Sequence, residues 1–283
     1  MPTPRVAAIH DMSGFGRCSL TVAIPVLSAM GVQCCPLPTA YLSTHTGGFD
    51  GYTFLDMTAE LPKTTAHWAS LGLHFDAVYT GFMGSEAQMD MVADFIRTFR
   101  RDGSTLFVCD PVMGDHGKIY KTYTREMCAG MTRLAECADV VVPNLTEAAV
   151  LLGEDCAFSA QPHDEAGYRA LTERLSLNGT RSVVLTGVTL KKGEIGACLF
   201  DRGSGVTEFL FDRFIVKEFH GTGDVFASVL TGALVQGRSL RDAVRLAEIF
   251  VRECAEHTVP QKIPAREGVD FEPVLYRLHE LME

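Results

Sequence analysis

The chain has 283 residues, of which 47% are hydrophobic and 21% charged, so it is long enough and apolar enough to bury a substantial core. Its 25 Lys and Arg stand against 35 Asp and Glu, a formal net charge of −10, which argues against a general binder of nucleic acid or of anionic membranes. No apolar run approaches the roughly 18–20 residues of a membrane span, and residues 1–11 hold too short an apolar run for a signal peptide. The nine Cys are scattered without metal-binding spacing, and we therefore expect a protein of the reducing cytoplasm.

Short apolar runs alternate with helical patterns through the first two thirds of the chain. We predict strands at 5–10, 33–38, 76–82, 105–110, 139–143 and 182–185. Helices are predicted at 19–30, 85–101 and 124–138, and another begins within 146–152. Buried strands that alternate with helices of this length are typical of βα units, which predicts a mostly parallel sheet.

The pattern changes after Gly193. Residues 194–200 and 206–214 are predicted as neighbouring strands joined by a turn at 201–205, which would add an antiparallel edge to the parallel sheet. Further helices are predicted at 222–235, 240–257 and 271–282. The sequence contains no internal repeat, low-complexity tract or linker, so we predict a single α/β domain over residues 1–283.

The most informative segment reads Gly221-Thr222-Gly223-Asp224 and stands at the start of a predicted helix. Two glycines let a ligand approach the backbone closely, and the unpaired N–H groups of a helix N-terminus attract a phosphate or the charge that develops in phosphoryl transfer. Asp224 falls in the first helical turn. The alternative interpretation is an ordinary acidic residue that stabilises the helix dipole.

Two other polar segments directly follow predicted strands, at the end where open α/β sheets place their ligands. Asp110 and Asp115 either organise a metal ion and phosphates or belong to a simple turn built from Pro and Gly. Asn144, Thr146 and Glu147 either take part in catalysis or cap the next helix.

The loop after the first strand runs from Asp11 to Ser19 and nearly spells the dinucleotide fingerprint, as G-x-G-x-x-S. A Rossmann dehydrogenase also requires an acidic residue about 20 positions further on. Residues 34–40 contain no carboxylate, which argues against nicotinamide binding. A Walker A motif does not occur in the sequence.

Taken together, these segments resemble the ribokinase superfamily and, within it, the pyridoxal and pyridoxamine kinases of vitamin B6 salvage. The resemblance covers nearly the whole chain in the family's order, and its motifs lie at 221–224, 110–115, 143–147, 80–85 and 45–48. It implies an α/β, ribokinase-like three-layer fold with a mostly parallel central sheet, helices on both faces and an antiparallel edge. It also implies a kinase that uses ATP and Mg²⁺ to phosphorylate pyridoxal, pyridoxamine or pyridoxine.

The resemblance further implies roles for individual residues. Asp224 matches the base that takes the proton from the 5′-hydroxymethyl group of the substrate, and the N–H groups of Gly221, Thr222 and Gly223 match the anion hole for the phosphoryl group. The positions that match the pyridine site are Asp11, Ser13, Thr46, Phe82 and Asp224. The positions that match the ATP site are Asp110, Asn144, Glu147, Thr186 and Gly223, with Asp110 and Glu147 also placed at the metal. Residues 115–123 match a mobile loop over ATP.

Some residues depart from the pyridoxal kinase pattern. The loop from Asp11 to Gly16 is more similar to the hydroxymethylpyrimidine kinases of thiamine synthesis, although those enzymes commonly carry Cys at the position of Asp224. Phe82 stands where Tyr is frequent. A hydroxymethylpyrimidine kinase and a vitamer-binding homologue without turnover therefore stay open as alternatives. The resemblance implies a homodimer without nucleic-acid or membrane partners, and leaves dependence on K⁺ open.

Overall fold

A nine-stranded sheet runs through the centre of the computed structural model, which describes residues 2–100, 103–157, 162, 164–215 and 219–283. The strands of this sheet and of a separate hairpin, β6–β7, are β1 (Arg5–Ser13), β2 (Gln33–Leu42), β3 (Phe54–Asp56), β4 (Ala77–Thr80), β5 (Leu106–Cys109), β6 (Gly114–Asp115), β7 (Lys118–Ile119), β8 (Val140–Val141), β9 (Ser182–Val188), β10 (Glu194–Asp201) and β11 (Val206–Arg213).

The strand order is β11-β10-β9-β8-β5-β4-β1-β2-β3. The six strands from β9 to β2 in this order run parallel to one another. The pairs β9–β10 and β10–β11 are antiparallel, which confirms the predicted antiparallel edge. The sequence did not indicate β3, which pairs antiparallel with β2 at the opposite edge. All three residues of β3 are exposed, so it lacks the apolar run by which the other strands are recognised.

Helices cover both faces of the sheet. Their bounds are α1 (Leu20–Ala29), α2 (Leu61–Ser70), α3 (Glu86–Phe99), α4 (Arg125–Glu136), α5 (Leu145–Leu151), α6 (Glu165–Leu175), α7 (Thr222–Val235), α8 (Leu240–Gln261) and α9 (Tyr276–Met282). One hydrophobic cluster joins α1, α7, α8 and α9 to the sheet, and a second cluster on the other face contains apolar residues of α2 to α6. Within the described residues, no helix combines the length and the apolarity needed to cross a bilayer.

The sheet is buried because successive residues of its central strands face the two clusters in turn. Val6 of β1 belongs to the first cluster, and Ala7 and Ile9 belong to the second, each without exposed surface. A strand that is covered on both faces shows a continuous apolar run rather than alternation. This burial explains why residues 5–10 could be recognised as a strand from the sequence.

Several predicted boundaries need correction. The helix predicted at 271–282 is divided into a 3₁₀ turn at Glu272–Val274 and α9, with a proline in the first turn of the 3₁₀ segment. The helix predicted at 85–101 ends at Phe99, and residue 101 lies outside the described residues. The sequence did not indicate α2, α6 or the β6–β7 hairpin.

Candidate active site

The predicted site residues gather at one edge of the sheet, because the carboxyl ends of parallel strands meet there. Asp11 and Ser13 lie near the end of β1, and Asp110 directly follows β5. Asn144 caps α5 soon after β8, and Thr186 lies on β9, where its backbone N–H and its hydroxyl both donate to the Pro143 carbonyl (2.9 and 3.3 Å). Strands that are far apart in the chain thus place their polar ends side by side.

The start of α7 stands at the same edge and needs a glycine at its first position. Gly221 is the N-cap residue with φ of +78°, and a Cβ there would lie 2.0 Å from the carbonyl oxygen of Arg17. Gly223 differs, since it is exposed and a Cβ there would meet no atom within 4 Å. A methyl group at Gly223 would therefore not disturb the folded protein, and would occupy only the open space in front of the helix.

Asp224 lies in the first turn of α7 and is largely buried. Its pKa is raised from an ordinary value of 3.8 to about 7: burial is the largest cause, the backbone of Ser19 opposes the rise, and the nearby Asp11 carboxylate adds to it. A carboxylate whose pKa lies near neutrality is well matched to accept a proton at physiological pH.

Asp11 is buried beneath this helix start and is held by two hydroxyl groups. Ser13 Oγ donates to Asp11 Oδ2 at 2.9 Å, and Ser19 Oγ donates to Asp11 Oδ1 at 2.5 Å. Burial raises the pKa of Asp11, and the two serine donors oppose that rise. Asp11 therefore braces its own loop, and contact with a substrate stays a prediction.

Asp110 and Glu147 form a second acidic pair at the same edge. Burial and the nearby Asp224 carboxylate raise the pKa of Asp110 well above its ordinary value, and burial and Asp110 do the same for Glu147. Two buried carboxylates that repel each other suit Mg²⁺, which takes oxygen ligands and usually keeps waters and substrate phosphates around it. Among the described residues no group of three or more His, Cys, Asp or Glu is arranged to hold a metal, so water or phosphate oxygens would have to complete the shell.

The segment from Asn144 to Glu147 forms a capping box at the start of α5. Asn144 Oδ1 accepts from the Glu147 N–H, and Glu147 Oε2 accepts from the Asn144 N–H, both at 2.9 Å. Glu147 Oε1 also accepts from the Met113 N–H at 3.2 Å, and Asn144 Nδ2 donates to the Gly114 carbonyl at 2.8 Å. The capping interpretation is confirmed. The same contacts fix the loop after Asp110, so a role of these residues at magnesium stays a prediction.

The β6–β7 hairpin occupies the segment that was matched to a mobile loop over ATP. The N–H of Gly117 in its turn donates to Thr146 Oγ1 at 2.9 Å, which ties the hairpin to α5. Burial raises the pKa of Tyr120, directly after β7, and the nearby charges of Glu147, Asp115, Asp224 and Asp110 add to that rise. The sequence offered no signal for Tyr120, because its proximity to these carboxylates depends on how the hairpin folds back.

Thr46 and Phe82 lie in different surroundings. The residues next to Thr46 pack against the start of α7: the ring of His45 lies 5.1 Å from that of His220, and a Cβ on Gly47 would lie 2.7 Å from the His220 ring. Phe82 packs edge-on against Tyr123, with 5.9 Å between ring centroids, and its carbonyl accepts from Thr39 Oγ1 at 3.0 Å. The residues that flank Thr46 therefore contact His220, just before α7, whereas the ring of Phe82 contacts Tyr123.

Residues 22–266 match the family model of phosphomethylpyrimidine kinase, and the chain belongs to this kinase family. It is 40% identical to a Bacteroides thetaiotaomicron protein provisionally assigned as a phosphomethylpyrimidine kinase and crystallised with pyridoxal, covering 98% of this chain and 96% of that one with a TM-score of 0.91. It is 30% identical to the pyridoxal kinase of Lactobacillus plantarum, with a TM-score of 0.87 and coverage of 99% and 98%. The fold is therefore ribokinase-like, as the sequence motifs predicted.

The curated relatives include both pyridoxal kinases and hydroxymethylpyrimidine kinases. The chain is 28% identical over 261 residues to the hydroxymethylpyrimidine/phosphomethylpyrimidine kinase of Mycobacterium leprae. This match covers 90% of each of the two chains. It is 37% identical over 161 residues to a Caenorhabditis elegans protein provisionally named pyridoxal kinase, covering 56% of this chain and 48% of the relative. The chain thus spans about half the length of that relative. It also spans about half (49%) of the thiamine biosynthesis bifunctional protein of Geobacter sulfurreducens.

Proposed function

We propose that this kinase transfers the γ-phosphoryl group of ATP to the 5′-hydroxymethyl group of pyridoxal, pyridoxamine or pyridoxine. The observation that carries the proposal is the carboxylate of Asp224, which directly follows Gly221, Thr222 and Gly223 in the first turn of α7 and has a pKa of about 7. At that pKa a large fraction of Asp224 is ionised at neutral pH and ready to accept the proton of an attacking hydroxyl group. Relatives in which pyridoxal is bound or named as substrate support the same choice.

The geometry around Asp224 suits phosphoryl transfer. The backbone N–H groups of residues 221–223 stand at the positive end of the α7 dipole, where they would stabilise negative charge on the transferring group. Asp110 and Glu147 are the residues that would hold Mg²⁺, together with phosphate oxygens and water. Bound magnesium would neutralise part of the phosphate charge. The remaining chemistry of this chain is positional: Asp224 faces the hydroxyl group, and Asn144 and Glu147 keep the Asp110 loop in place.

The nucleotide is expected on the side of Asp110, Asn144 and Thr186, and the pyridine ring on the side of Asp11, Ser13, Thr46 and Phe82. The two groups lie on the ends of different strands at one edge, with the start of α7 at the same edge. This division predicts that substitutions in the second group change the KM for the vitamin and leave the KM for ATP nearly unchanged.

Hydroxymethylpyrimidine is the second candidate substrate, and three observations favour it. The family model carries the name of phosphomethylpyrimidine kinase, and the Mycobacterium leprae relative is similar over 90% of its length. The loop from Asp11 to Gly16 is of the type found in those enzymes. Asp224 weighs on the other side, because a carboxylate replaces the Cys that is common there. Both substrates present a primary alcohol on an aromatic ring, so the reaction itself would be the same.

A coupled assay of ADP release tests the proposal. Purified wild-type protein is supplied with ATP, Mg²⁺ and one alcohol at a time: pyridoxal, pyridoxamine, pyridoxine or hydroxymethylpyrimidine. We expect kcat/KM to be highest for a B6 vitamer, and mass spectrometry should find one phosphoryl group on the product. A higher kcat/KM for hydroxymethylpyrimidine would replace the proposed substrate. Vitamer binding without ADP release would instead identify a protein that binds vitamers without turnover.

The same proposal includes expectations about domain organisation, oligomeric state and cellular location. We expect the 283 residues to act as one kinase domain, the chain to form a homodimer, and the enzyme to work in the cytoplasm. Light scattering on the purified chain tests the second expectation, since a mass of twice 30.9 kDa is predicted. Assays in K⁺ and in Na⁺ buffers at equal ionic strength would show whether a monovalent cation is needed.

A further inference from the structure

The turn between β4 and α3, residues 81–84, carries Phe82 and is held by other segments at each of its residues. The Gly81 N–H donates to the Ile9 carbonyl (3.1 Å), the Phe82 carbonyl accepts from Thr39 Oγ1 (3.0 Å), the Met83 N–H donates to the Tyr123 hydroxyl (3.4 Å), and the Gly84 N–H donates to Gln88 Oε1 (2.7 Å). The position of the Phe82 ring therefore depends on the groups that bind this turn.

Gln88 makes the shortest of these contacts and is fully buried in the first turn of α3. Its Nε2 donates to the Thr39 carbonyl at 2.8 Å and to Thr58 Oγ1 at 2.9 Å, while its Oε1 accepts from the Gly84 N–H. Thr58 Oγ1 in turn donates to Asp56 Oδ1 at 2.5 Å. One side-chain amide thus joins the turn to β2 and to the residues that end and follow β3.

These partners leave the Gln88 amide only one orientation. The Thr39 carbonyl can only accept and the Gly84 N–H can only donate, so an amide turned by about 180° would face a like group at both ends. Thr58 Oγ1 gives its own proton to Asp56 and must therefore accept from Gln88 Nε2. A buried amide with all of these contacts is rigid, and its loss would leave the Gly84 N–H without its acceptor.

We infer that Gln88 is a positioning residue for substrate binding: its amide fixes the turn at 81–84 against β2 and so sets where the ring of Phe82 stands. The inference rests on the proposed placement of the pyridine ring beside Phe82. Two aromatic rings attract each other only at centroid separations of about 4.5–7 Å and in favourable orientations, so a turn that shifts weakens that contact. Gln88 lies beneath the turn without exposed surface, and its effect on the substrate is therefore indirect.

The first variant is Gln88→Met, which keeps a long unbranched side chain and removes every polar contact of the amide. With the alcohol that the wild type phosphorylates best, we expect the KM for that alcohol to rise about 10-fold, within the roughly 10²-fold that a small misplacement can cost. Lost ring contact weakens ground-state and transition-state binding equally, so kcat should stay within about threefold of wild type. The KM for ATP should change by less than about twofold, because all contacts of Gln88 lie on the side of β2 and β3.

A second, milder variant tests the same turn if Gln88→Met does not fold. Thr39 is buried in β2, and Thr39→Val keeps the shape of its side chain while removing the hydroxyl that donates to the Phe82 carbonyl. One of the two clamps on the turn is then lost and the Gln88 amide remains. We expect the KM for the alcohol to rise about 3–5-fold, with kcat and the KM for ATP nearly unchanged.

A double-mutant cycle with Phe82→Ala connects these effects to the Phe82 ring. Phe82→Ala alone should raise the KM for the alcohol at least as much as Gln88→Met does, because the ring contact is removed outright. In the Phe82→Ala background, Gln88→Met, or Thr39→Val in its place, should raise that KM by less than about twofold, since no ring remains to be misplaced. A purely structural role of Gln88 would give the same melting-temperature loss without this interaction between the two sites.

Thr105 provides the matched control at the other end of the same helix. Its buried hydroxyl donates to the Phe75 carbonyl at 2.8 Å and lies 3.1 Å from the carbonyl of Phe99, the last residue of α3. Thr105 directly precedes β5 and so lies at the amino ends of the parallel strands, away from the candidate active site. Thr105→Val should lower the melting temperature and leave both KM values and kcat per folded molecule at the wild-type level.

Several results would overturn the inference. They are a wild-type KM for the alcohol in Gln88→Met (or in Thr39→Val, where Gln88→Met does not fold), a wild-type KM in Phe82→Ala, an undiminished effect of Gln88→Met in the Phe82→Ala background, or a similar rise of KM in Thr105→Val. The proposed function can fail separately, because it concerns which alcohol the wild type prefers and whether it is turned over. Titration of each variant with pyridoxal in the absence of ATP gives the same ratios as Kd values, even for a protein that binds vitamers without turnover.

Discussion

Replacing Asp224 with asparagine should raise the stability of the protein while it removes most of the activity. The side chain keeps its shape, and asparagine Oδ1 can still accept from the Ser19 N–H. What disappears is a negative charge that is buried beside Asp11 and near Asp110. A site selected for folding alone would not keep that charge, so opposite changes in stability and in kcat would identify its role as catalytic.

The stability gain follows from the two pKa values of this carboxyl group. In the folded protein its pKa is about 7, against an ordinary value of 3.8. The folded state therefore binds the proton more tightly than the unfolded chain. Stability falls as pH rises from about 4 to about 7, and the loss is complete above that range. About three pH units at roughly 1.36 kcal/mol each set a ceiling of about 4 kcal/mol. Because Asp224 keeps some contact with solvent, we expect Asp224→Asn to recover about 1–3 kcal/mol at pH 8.

The loss of activity follows from proton transfer. Asparagine cannot accept the proton of the attacking hydroxyl group, and a positioned general base contributes a factor of about 10²–10⁴ to the rate. We expect kcat of Asp224→Asn to fall by about that factor, with the KM for ATP little changed. The anion hole would remain, since the backbone of residues 221–223 is untouched.

The assay pairs thermal unfolding from pH 5 to pH 8 with the coupled kinase assay. The gap in melting temperature between Asp224→Asn and wild type should widen as pH rises, by about 2–4 °C for each kcal/mol recovered. Asp242 offers a matched control, because it occupies the equivalent position in the first turn of α8 but is exposed. Asp242→Asn should lower stability slightly through the lost interaction with the helix dipole, and leave kcat unchanged. A lower melting temperature for Asp224→Asn, or wild-type kcat, would refute the reasoning.

Four further predictions concern the same site and one distant buried carboxylate. Gly223→Ala should lower kcat by about 10²-fold at an unchanged melting temperature, because its methyl group enters only the phosphoryl space, whereas Gly221→Ala should destabilise the fold through its contact with backbone. Asp11→Ala should raise the KM for the vitamin about 5–150-fold without changing the KM for ATP, and should lower the melting temperature because two serine hydroxyls lose their acceptor. A pH–rate profile of kcat should fall on the acidic side with an apparent pKa near 7, as Asp224 becomes protonated. Asp139→Ala should cost about 1–3 kcal/mol in chemical denaturation with normal kcat, because the buried N–H of Phe107 loses its acceptor, and the partly exposed Arg100 and Arg202 lose their partner.

The parallel sheet could be predicted because its strands are covered on both faces. Residues 5–10 and 105–110 form continuous apolar runs, and strands of this kind separated by helices are typical of one architecture. The hairpin of β6 and β7 and the edge strand β3 could not be predicted in the same way. These strands have only two or three residues each, and they form by pairing with neighbouring strands. The residues of β3 are all exposed, so no buried apolar run marks it in the sequence.

The sequence by itself determined which residues stand at the ends of strands, and so which carboxylates and glycines meet at one edge. Asp110 and Asn144 follow from that rule, because parallel strands end at the same edge of the sheet. Asp224 follows instead from the Gly221-Thr222-Gly223-Asp224 segment at the start of a predicted helix. Tertiary structure decided what those groups do to one another. The pKa of Asp224 depends on burial, on the backbone of Ser19 and on Asp11, and the last two residues lie about 200 positions away in the chain. Electrostatic coupling depends on distance in space and on the loss of solvent, and neither is encoded in the spacing of residues.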